Sequence, residues 1–275
     1  MPFAKAGDLS LFYQESGSGS PVLMLPGLGA DHMAWGYQAL KLQAHFRCIR
    51  IDNRDVGRSD RATAPYTIRD MAQDTVELLD ALEINSAHVV GWSMGSAIAQ
   101  ELVLHHPERV RSLSLVATYH EGDPRADDRF HAMAEVRKAM GMQMFMRLSY
   151  PGSFTYRAYE RPGFIEGMMQ RALDNQYGQE QEAYERQVQA TLTHNTAGRL
   201  SNIACPTLVL VGDEDILTPL ERFARPIAGE IPNAVLRVIP EVGHALVWEQ
   251  PDAVSEALLE FLMSVALETD GAQTG

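Results

Sequence analysis

Basic residues, cysteines and long apolar runs are all scarce in this 275-residue sequence. Lysine and arginine number 23 against 36 acidic residues, so the net charge of −13 would repel a nucleic-acid backbone. We therefore expect no nucleic-acid partner. The two cysteines, Cys48 and Cys205, lie among apolar residues and outside any zinc-binding pattern, which predicts buried, reduced thiols.

The sequence also lacks the apolar stretches that a membrane segment or a signal peptide would need. No stretch reaches the roughly 18 apolar residues of a membrane span. Gly7 and Asp8 interrupt the N-terminal region where a signal peptide would need an apolar core. We therefore expect a cytoplasmic protein that acts on a small molecule without a membrane, a metal or a cofactor, while the oligomeric state is not readable.

Short apolar runs alternate with helical patterns over the first 118 residues and again after residue 206. The runs are nearly continuous, which is typical of strands buried on both faces of a parallel sheet. They lie at residues 21–25, 46–51, 87–90, 112–117, 207–211 and 235–239, after a hairpin over 3–6 and 9–15. Helices are predicted over 68–82, opened by a capping box of Thr67 and Asp70, and over 252–267. This order predicts a doubly wound, mostly parallel α/β sheet.

The alternation stops between residues 120 and 199. We predict a helical cap there, inserted into a core of residues 1–119 and 200–267, with a disordered tail over 268–275. Seven of the 13 methionines fall in the insertion. They fit either an adaptable apolar lid over a pocket or the ordinary core of a small helical layer.

Gly91-Trp92-Ser93-Met94-Gly95 fits the pattern G-x-S-x-G between a predicted strand and a predicted helix. A sharp turn at that place lifts the serine hydroxyl clear of the sheet, and the helix N-terminus favours negative charge that develops beside it. A serine hydroxyl is a weak nucleophile at neutral pH and needs an adjacent base. The sequence therefore predicts Ser93 as a nucleophile with a histidine partner.

His244 is the best candidate for that base because it follows the last strand, at the sheet edge where open α/β folds gather their sites. The imidazole in turn needs a carboxylate that fixes its tautomer. Asp213, Glu214 and Asp215 follow the preceding strand. Asp215 is far enough past the strand end to turn toward His244, so we predict it as the third member, with Asp213 as the runner-up.

To about residue 267 the chain resembles the α/β-hydrolases, whose triad runs in the order serine, acid, histidine. The resemblance implies the same fold with a helical cap, and an oxyanion hole made by the backbone N–H groups of Leu28 and Met94. The family usually has His-Gly before the first helix, whereas this chain has Pro26-Gly27. The bracing that the histidine often gives must then come from elsewhere.

Two further stretches carry the resemblance. The segment from Asp52 to Ser59 is similar to the family's D-x-R-G-x-G-x-S loop, with Asp55 in place of a glycine, as in anthracycline methylesterase relatives. We interpret this loop as structural, with its arginines tied to neighbouring carbonyls. LGADHMAW and VVGWSMGSAIAQEL resemble 3-oxoadipate enol-lactonases and their kin.

A pocket is expected between the carboxyl edge of the sheet and the cap. The substrate-binding candidates are Gly27, Trp35, Tyr119, His120, Met142, Met146 and Trp248. His32 either faces the pocket or caps its loop, and no arginine of the cap can be singled out as a carboxylate anchor. We expect a serine hydrolase that cleaves a small, largely apolar carboxylic ester or lactone through an acyl-enzyme. A carbon–carbon bond hydrolase and a ligand-binding receptor on the same fold are the alternatives.

Overall fold

Eight strands form one sheet in the computed structural model, which describes residues 2–272. The strands are β1 Phe3–Ala6, β2 Leu9–Ser16, β3 Ser20–Leu25, β4 Phe46–Ile51, β5 Ala87–Trp92, β6 Val110–Val116, β7 Thr207–Gly212 and β8 Ala234–Ile239. Their order across the sheet is β1-β2-β4-β3-β5-β6-β7-β8. β2 is antiparallel to both of its neighbours, and the other pairs are parallel. The predicted mostly parallel α/β sheet is confirmed.

Helices cover both faces of this sheet. They are α1 Gly36–Leu42, α2 Ile68–Ala81, α3 Met94–His105, α4 Pro124–Ser153, α5 Tyr156–Glu160, α6 Phe164–Leu173, α7 Gln181–Leu192, α8 Arg225–Glu230, α9 Leu246–Glu249 and α10 Pro251–Ala272. Within the described range, none combines the length and apolar character needed to cross a bilayer. The capping box that opens α2 is present, with reciprocal hydrogen bonds between Thr67 and Asp70.

Two apolar cores lie on opposite faces of the sheet, and β3 shows why its sequence is apolar throughout. Leu23 and Leu25 belong to the core under α2 and α3, while Val22 and Met24 belong to the core under α1 and α10. All four are fully buried. Because successive side chains of a strand point to opposite faces, a sheet covered on both sides requires an unbroken apolar run.

The last helix extends beyond its predicted end. We predicted that helix to residue 267 and a disordered tail over 268–275, but α10 continues to Ala272. Residues 273–275 lie outside the described residues. The sequence after Leu267 is polar, so no apolar periodicity marked this last turn of the helix.

Helices α4–α7 lie between β6 and β7, in the segment predicted as a cap. Their interior is a small cluster in which Tyr184 and Val188 of α7 pack against Ala134 of α4. A buried ion pair ties α7 to the core, since Arg186 donates to both carboxylate oxygens of Asp55 at 2.7 and 2.9 Å. The cap therefore has its own packing and a fixed link to the core.

The strand order places the loops that matter at one edge. From β3 the chain passes to β4 on one side and then to β5 on the other, which makes a topological switch point between β3 and β5. The loops that leave β3, β5, β6, β7 and β8 all emerge at the same carboxyl edge, because these strands are parallel. The cap is inserted into one of these connections.

Candidate active site

Ser93 occupies a sharp turn between β5 and α3. Its backbone has φ 53° and ψ −119°, a conformation that costs a non-glycine residue about 1–3 kcal/mol. The turn is possible because its flanks are glycines. A Cβ at Gly91 would overlap the carbonyl oxygen of Gly95, and a Cβ at Gly95 would overlap the carbonyl oxygen of Leu25. The G-x-S-x-G spacing is thus explained by close backbone packing.

Ser93, His244 and Asp215 form one chain of hydrogen bonds. The Oγ of Ser93 is 2.9 Å from Nε2 of His244, and Nδ1 of His244 is 2.9 Å from Oδ2 of Asp215. An ionised carboxylate only accepts, so Nδ1 carries the proton and Nε2 is left to accept from the serine hydroxyl. This is the tautomer that a serine nucleophile requires.

Asp215 is 3% exposed and fully supplied with donors. The amides of Leu217 and Thr218 donate to Oδ1 at 2.8 and 2.9 Å, and the Thr218 hydroxyl donates to Oδ2 at 2.7 Å. Burial acts to raise the pKa of the Asp215 carboxyl. The electrostatic attraction and hydrogen bond of His244, together with the bonds from Thr218, outweigh burial and hold that pKa below its usual value. The carboxylate is thereby kept ionised beside the imidazole.

The two neighbouring acids have other partners. Asp213 accepts from the amide of Glu241 at 2.7 Å, which closes the loop after β8. Glu214 pairs with Arg157 of the cap at 2.6 Å. Of the three consecutive acids, Asp215 is the one whose carboxylate reaches the imidazole.

A buried carboxylate braces the histidine loop from the cap side. Glu249, 2% exposed, accepts from the amide of Gly243 at 3.2 Å and from the amide and hydroxyl of Thr155. The amide of Ala245 donates to the carbonyl of Ser153 at 2.9 Å. Ser153 and Thr155 of the cap are therefore bonded to Ala245 and Glu249, which both follow the catalytic-histidine candidate in the chain.

The candidate oxyanion hole lies beside Ser93. Leu28 lies in the loop after β3 and lines the same cavity as Ser93, and Met94 is the first residue of α3, where a helix leaves its amides without intrahelical acceptors. The loop is braced without the family's usual histidine, since the side-chain amide of Asn53 donates to the carbonyl of Pro26 at 3.3 Å.

His32 does not face the pocket. Its backbone amide and its Nδ1 both lie 2.7 Å from Oδ1 of the fully buried Asp52, so it fastens the loop to the end of β4. Asp31, His32 and Asp52 are near enough together to hold a metal ion. The Asp31 carboxylate, however, accepts from the amide of Met33 and from Asn175. Because these groups already satisfy one another, we interpret the cluster as a brace.

A cavity of about 210 Å³ opens onto Ser93 and His244. The lining residues come from the segments after β3, β6, β7 and β8, from the turn before α3, from the start of α4 and from the end of α7. They are Leu28, Ser93, Tyr119, Glu121, Gly122, Asp123, Arg125, Ala126, Arg129, Phe130, Thr191, Leu192, Ile216, Leu217, Thr218, Pro219, Phe223 and His244. A volume of this size suits a small ligand, since drug-sized pockets are about 300–1,000 Å³.

A profile of the family described as having the alpha/beta hydrolase fold matches residues 20–251. The chain belongs to the α/β-hydrolase family. RutD of Azorhizobium caulinodans, a proposed carbamate hydrolase, is 32% identical over 269 residues, which are 95% of this chain and 98% of RutD. BpoC of Mycobacterium tuberculosis, a proposed non-heme bromoperoxidase, is 31% identical over 272 residues, 94% of this chain and 99% of BpoC.

Solved structures of the family are similar along nearly the whole chain. The enol-lactonase from Burkholderia xenovorans has a TM-score of 0.87 at 26% identity and covers 95% of this chain and 100% of its own. A thermophilic esterase from Thermogutta terrifontis has a TM-score of 0.83 at 29% identity, with 94% of each chain covered. The names of these relatives span several activities, so family membership alone does not name the substrate.

Of the predicted substrate-binding residues, Tyr119 lines the cavity of this α/β-hydrolase and six others do not. Trp35 is fully buried in the core under α1. Trp248 packs edge-on against Trp92, whose Nε1 donates to the carbonyl of His244 at 3.0 Å. Both large rings therefore support the fold behind the site instead of forming its wall.

The remaining predictions fail for similar reasons. Gly27 lies beside Trp92 and Ser93 but outside the cavity lining, and the His120 ring packs against Phe223. Met146 is 2% exposed inside the cap, with the Tyr150 hydroxyl against its sulfur. Met142 is half-buried on α4, and no methionine is among the described residues that line the cavity. The cavity lining therefore does not include Met142 or Met146, and the buried Met146 packs within the helical layer, which favours the second of the two interpretations of these methionines.

Sequence reasoning missed two parts of the pocket. Residues 216–219 follow the end of β7, so the rule that sites gather at carboxyl strand ends could have found them. Arg125, Ala126, Arg129 and Phe130 share one face at the start of α4, and only the packing of the cap shows that this face is the one turned to the cavity.

Proposed function

We propose that this α/β-hydrolase is a serine hydrolase that cleaves a small, largely apolar carboxylic ester or lactone through an acyl-enzyme. The observation that carries the proposal is the pair of 2.9 Å hydrogen bonds from Asp215 through His244 to Ser93, at the wall of a cavity that a ligand can occupy. The esterase and the enol-lactonase among the similar structures support the same reaction class.

The geometry supports the following sequence of steps. The Oγ of Ser93 attacks the carbonyl carbon while its proton passes to Nε2 of His244, and the negative charge on the carbonyl oxygen is received by the amides of Leu28 and Met94. The bond between the carbonyl carbon and the alkoxide oxygen then breaks as His244 gives its proton to that oxygen. The product of this half-reaction is the acyl-enzyme. A water molecule, deprotonated by His244, attacks the acyl carbon and releases the acid and the free serine. Asp215 stabilises the imidazolium in both halves.

Carbamates are a second candidate class, because the name of RutD points to them and the same attack at a carbonyl carbon would cleave them. A carbon–carbon hydrolase and a non-catalytic receptor remain the competing classes. They differ from the proposal in what the purified protein turns over.

The test is a screen of p-nitrophenyl esters of increasing acyl length, combined with labelling by a fluorophosphonate probe. We expect turnover of short or medium esters and labelling of one serine. Ser93→Ala should abolish labelling and nearly all turnover, with a residual rate from the oxyanion hole and binding. Ser264→Ala, at an exposed serine of α10, is the matched control and should behave as wild type. A protein that turns over no ester and escapes labelling would instead fit a receptor.

A further inference from the structure

Arg129 is a half-buried cation on the cavity wall whose charge is not matched by an acid. Its Nη2 donates to the carbonyl oxygen of Ser149 at 3.2 Å. Among residues 2–267, whose side chains the structure describes, no carboxylate forms an ion pair with its guanidinium. Burial, together with the charge of Arg125, lowers the pKa of Arg129 and outweighs the raising effects of Tyr184 and Asp215. Asp215, however, is already engaged by His244 and Thr218.

A glycine of α4 leaves room for this guanidinium. A Cβ at Gly152, in the last turn of α4, would overlap both Nη atoms of Arg129, so the absence of a side chain there lets the group lie against the helix. A charge that is partly withdrawn from water is usually paired with an opposite charge or kept in contact with water. The N–H groups of the guanidinium that do not bond Ser149 are available to a ligand in the cavity, which Arg129 lines.

The other charged groups of the wall do not remove this excess. Asp123 is held by Arg222 at 2.7 Å, and Arg125 is exposed to solvent. Glu121 and Arg125 are the remaining charged residues of the described lining and offset each other in formal charge, which leaves the Arg129 guanidinium as the wall charge without an ion pair. An anion is the ligand that complements such a wall.

We propose that Arg129 binds a carboxylate of the substrate, so that the preferred substrate is a small ester with an apolar chain and one carboxylate away from the scissile bond. A planar guanidinium fork matches a carboxylate in a bidentate way, and the small cavity suits an ion of that size. The inference rests on the proposed ester hydrolysis and names its substrate class.

Four esters with seven carbons each test the proposal. Monoethyl glutarate carries a carboxylate on the acyl side and 5-acetoxypentanoate on the alcohol side, while ethyl pentanoate and pentyl acetate are their neutral counterparts. We expect wild type to prefer at least one anionic ester over its counterpart in kcat/KM. Arg129→Met should lower that ratio by roughly tenfold to a hundredfold, the range for a lost hydrogen bond to a charged group. Arg129→Lys should keep part of it.

Arg147→Met, at an exposed arginine of the same helix, is the matched control and should leave the ratio unchanged. Gly152→Ala should lower the ratio without altering any charge. A ratio that Arg129→Met leaves unchanged would overturn the proposal, even with rapid ester turnover. If wild type cleaves none of the four, the p-nitrophenyl esters and the fluorophosphonate probe decide the proposed function, and calorimetric binding of glutarate to wild type and Arg129→Met tests the anion site separately. Binding weakened at least tenfold by Arg129→Met would support the anion site, and equal binding would overturn it.

Discussion

The ion pair between Asp55 and Arg186 offers a sharp test of how the cap is held. Asp55 stands where the resembling loop has glycine, and it adopts φ 70°, a backbone conformation in which a non-glycine residue is strained. Its side chain is fully buried, whereas the side chain of Arg186 is 21% exposed. The two residues are therefore unequal partners, and we expect their removal to have unequal effects.

The size of each effect follows from what is left behind. Arg186→Met leaves a buried carboxylate without its cation, which typically costs about 3–5 kcal/mol. Asp55→Gly removes that charge and relieves backbone strain of about 1 kcal/mol, while the released guanidinium can reach water. The amide of Ala62, which donates to Asp55 at 2.8 Å, loses its acceptor, so we expect a net cost of about 0–2 kcal/mol.

Urea unfolding at pH 7 of wild type, both single variants and the double variant measures these costs. The double variant should be little less stable than Asp55→Gly alone, because the buried charge is already gone. Arg225→Met removes an exposed pair with Glu221 and should stay close to wild type. If Asp55→Gly proves as costly as Arg186→Met or more so, the explanation from the buried, uncompensated charge is refuted.

Three further predictions concern the site and the core. Asp215→Asn should lower kcat by about ten-thousandfold because the imidazole loses its fixed tautomer, while Asp213→Asn should be mild; the reverse result in steady-state assays would move the acid to Asp213. Glu249→Gln should cost about 1–3 kcal/mol in urea unfolding, since each carboxylate oxygen accepts from a different backbone N–H group and the amide puts a donor in place of one of them. His88 has its pKa lowered to about 4, first by burial and then by the charge of Arg111. The unfolded chain thus takes up this proton first, and about 3 kcal/mol of stability should be lost as the pH falls from about 6.5 to about 4. Unfolding of His88→Gln should show a smaller loss over that range.

The residues with local backbone constraints were predictable from the sequence. Ser93 is marked by glycines at fixed spacing, and each glycine is needed because another backbone element lies against it. His244 and Asp215 follow strand ends, where chain connectivity alone brings them to one edge of the sheet. In these cases a pattern of a few residues contains the physical cause of the geometry.

The pocket walls were not predictable in this way, because a large apolar side chain suits a core as well as a cavity. Trp35 and Met146 were placed at the pocket on composition, yet both are buried in packed layers. Arg129 could not be distinguished from the other arginines of the cap until the orientation of α4 was known. That orientation depends on a bend at Gly141, where φ is 78°, and on packing against α7, and both are long-range features.

The bonds from Ser153 and Thr155 to the histidine loop bear on how such an enzyme can be remodelled. A cap joined only at its two ends could be exchanged between relatives as an interchangeable module. Here its middle is bonded to Ala245 and Glu249, which both follow His244 in the chain. A chimera that receives the cap of a relative would therefore need to retain residues 153–155. Without them, we expect the orientation of His244 to change along with the substrate specificity of the enzyme.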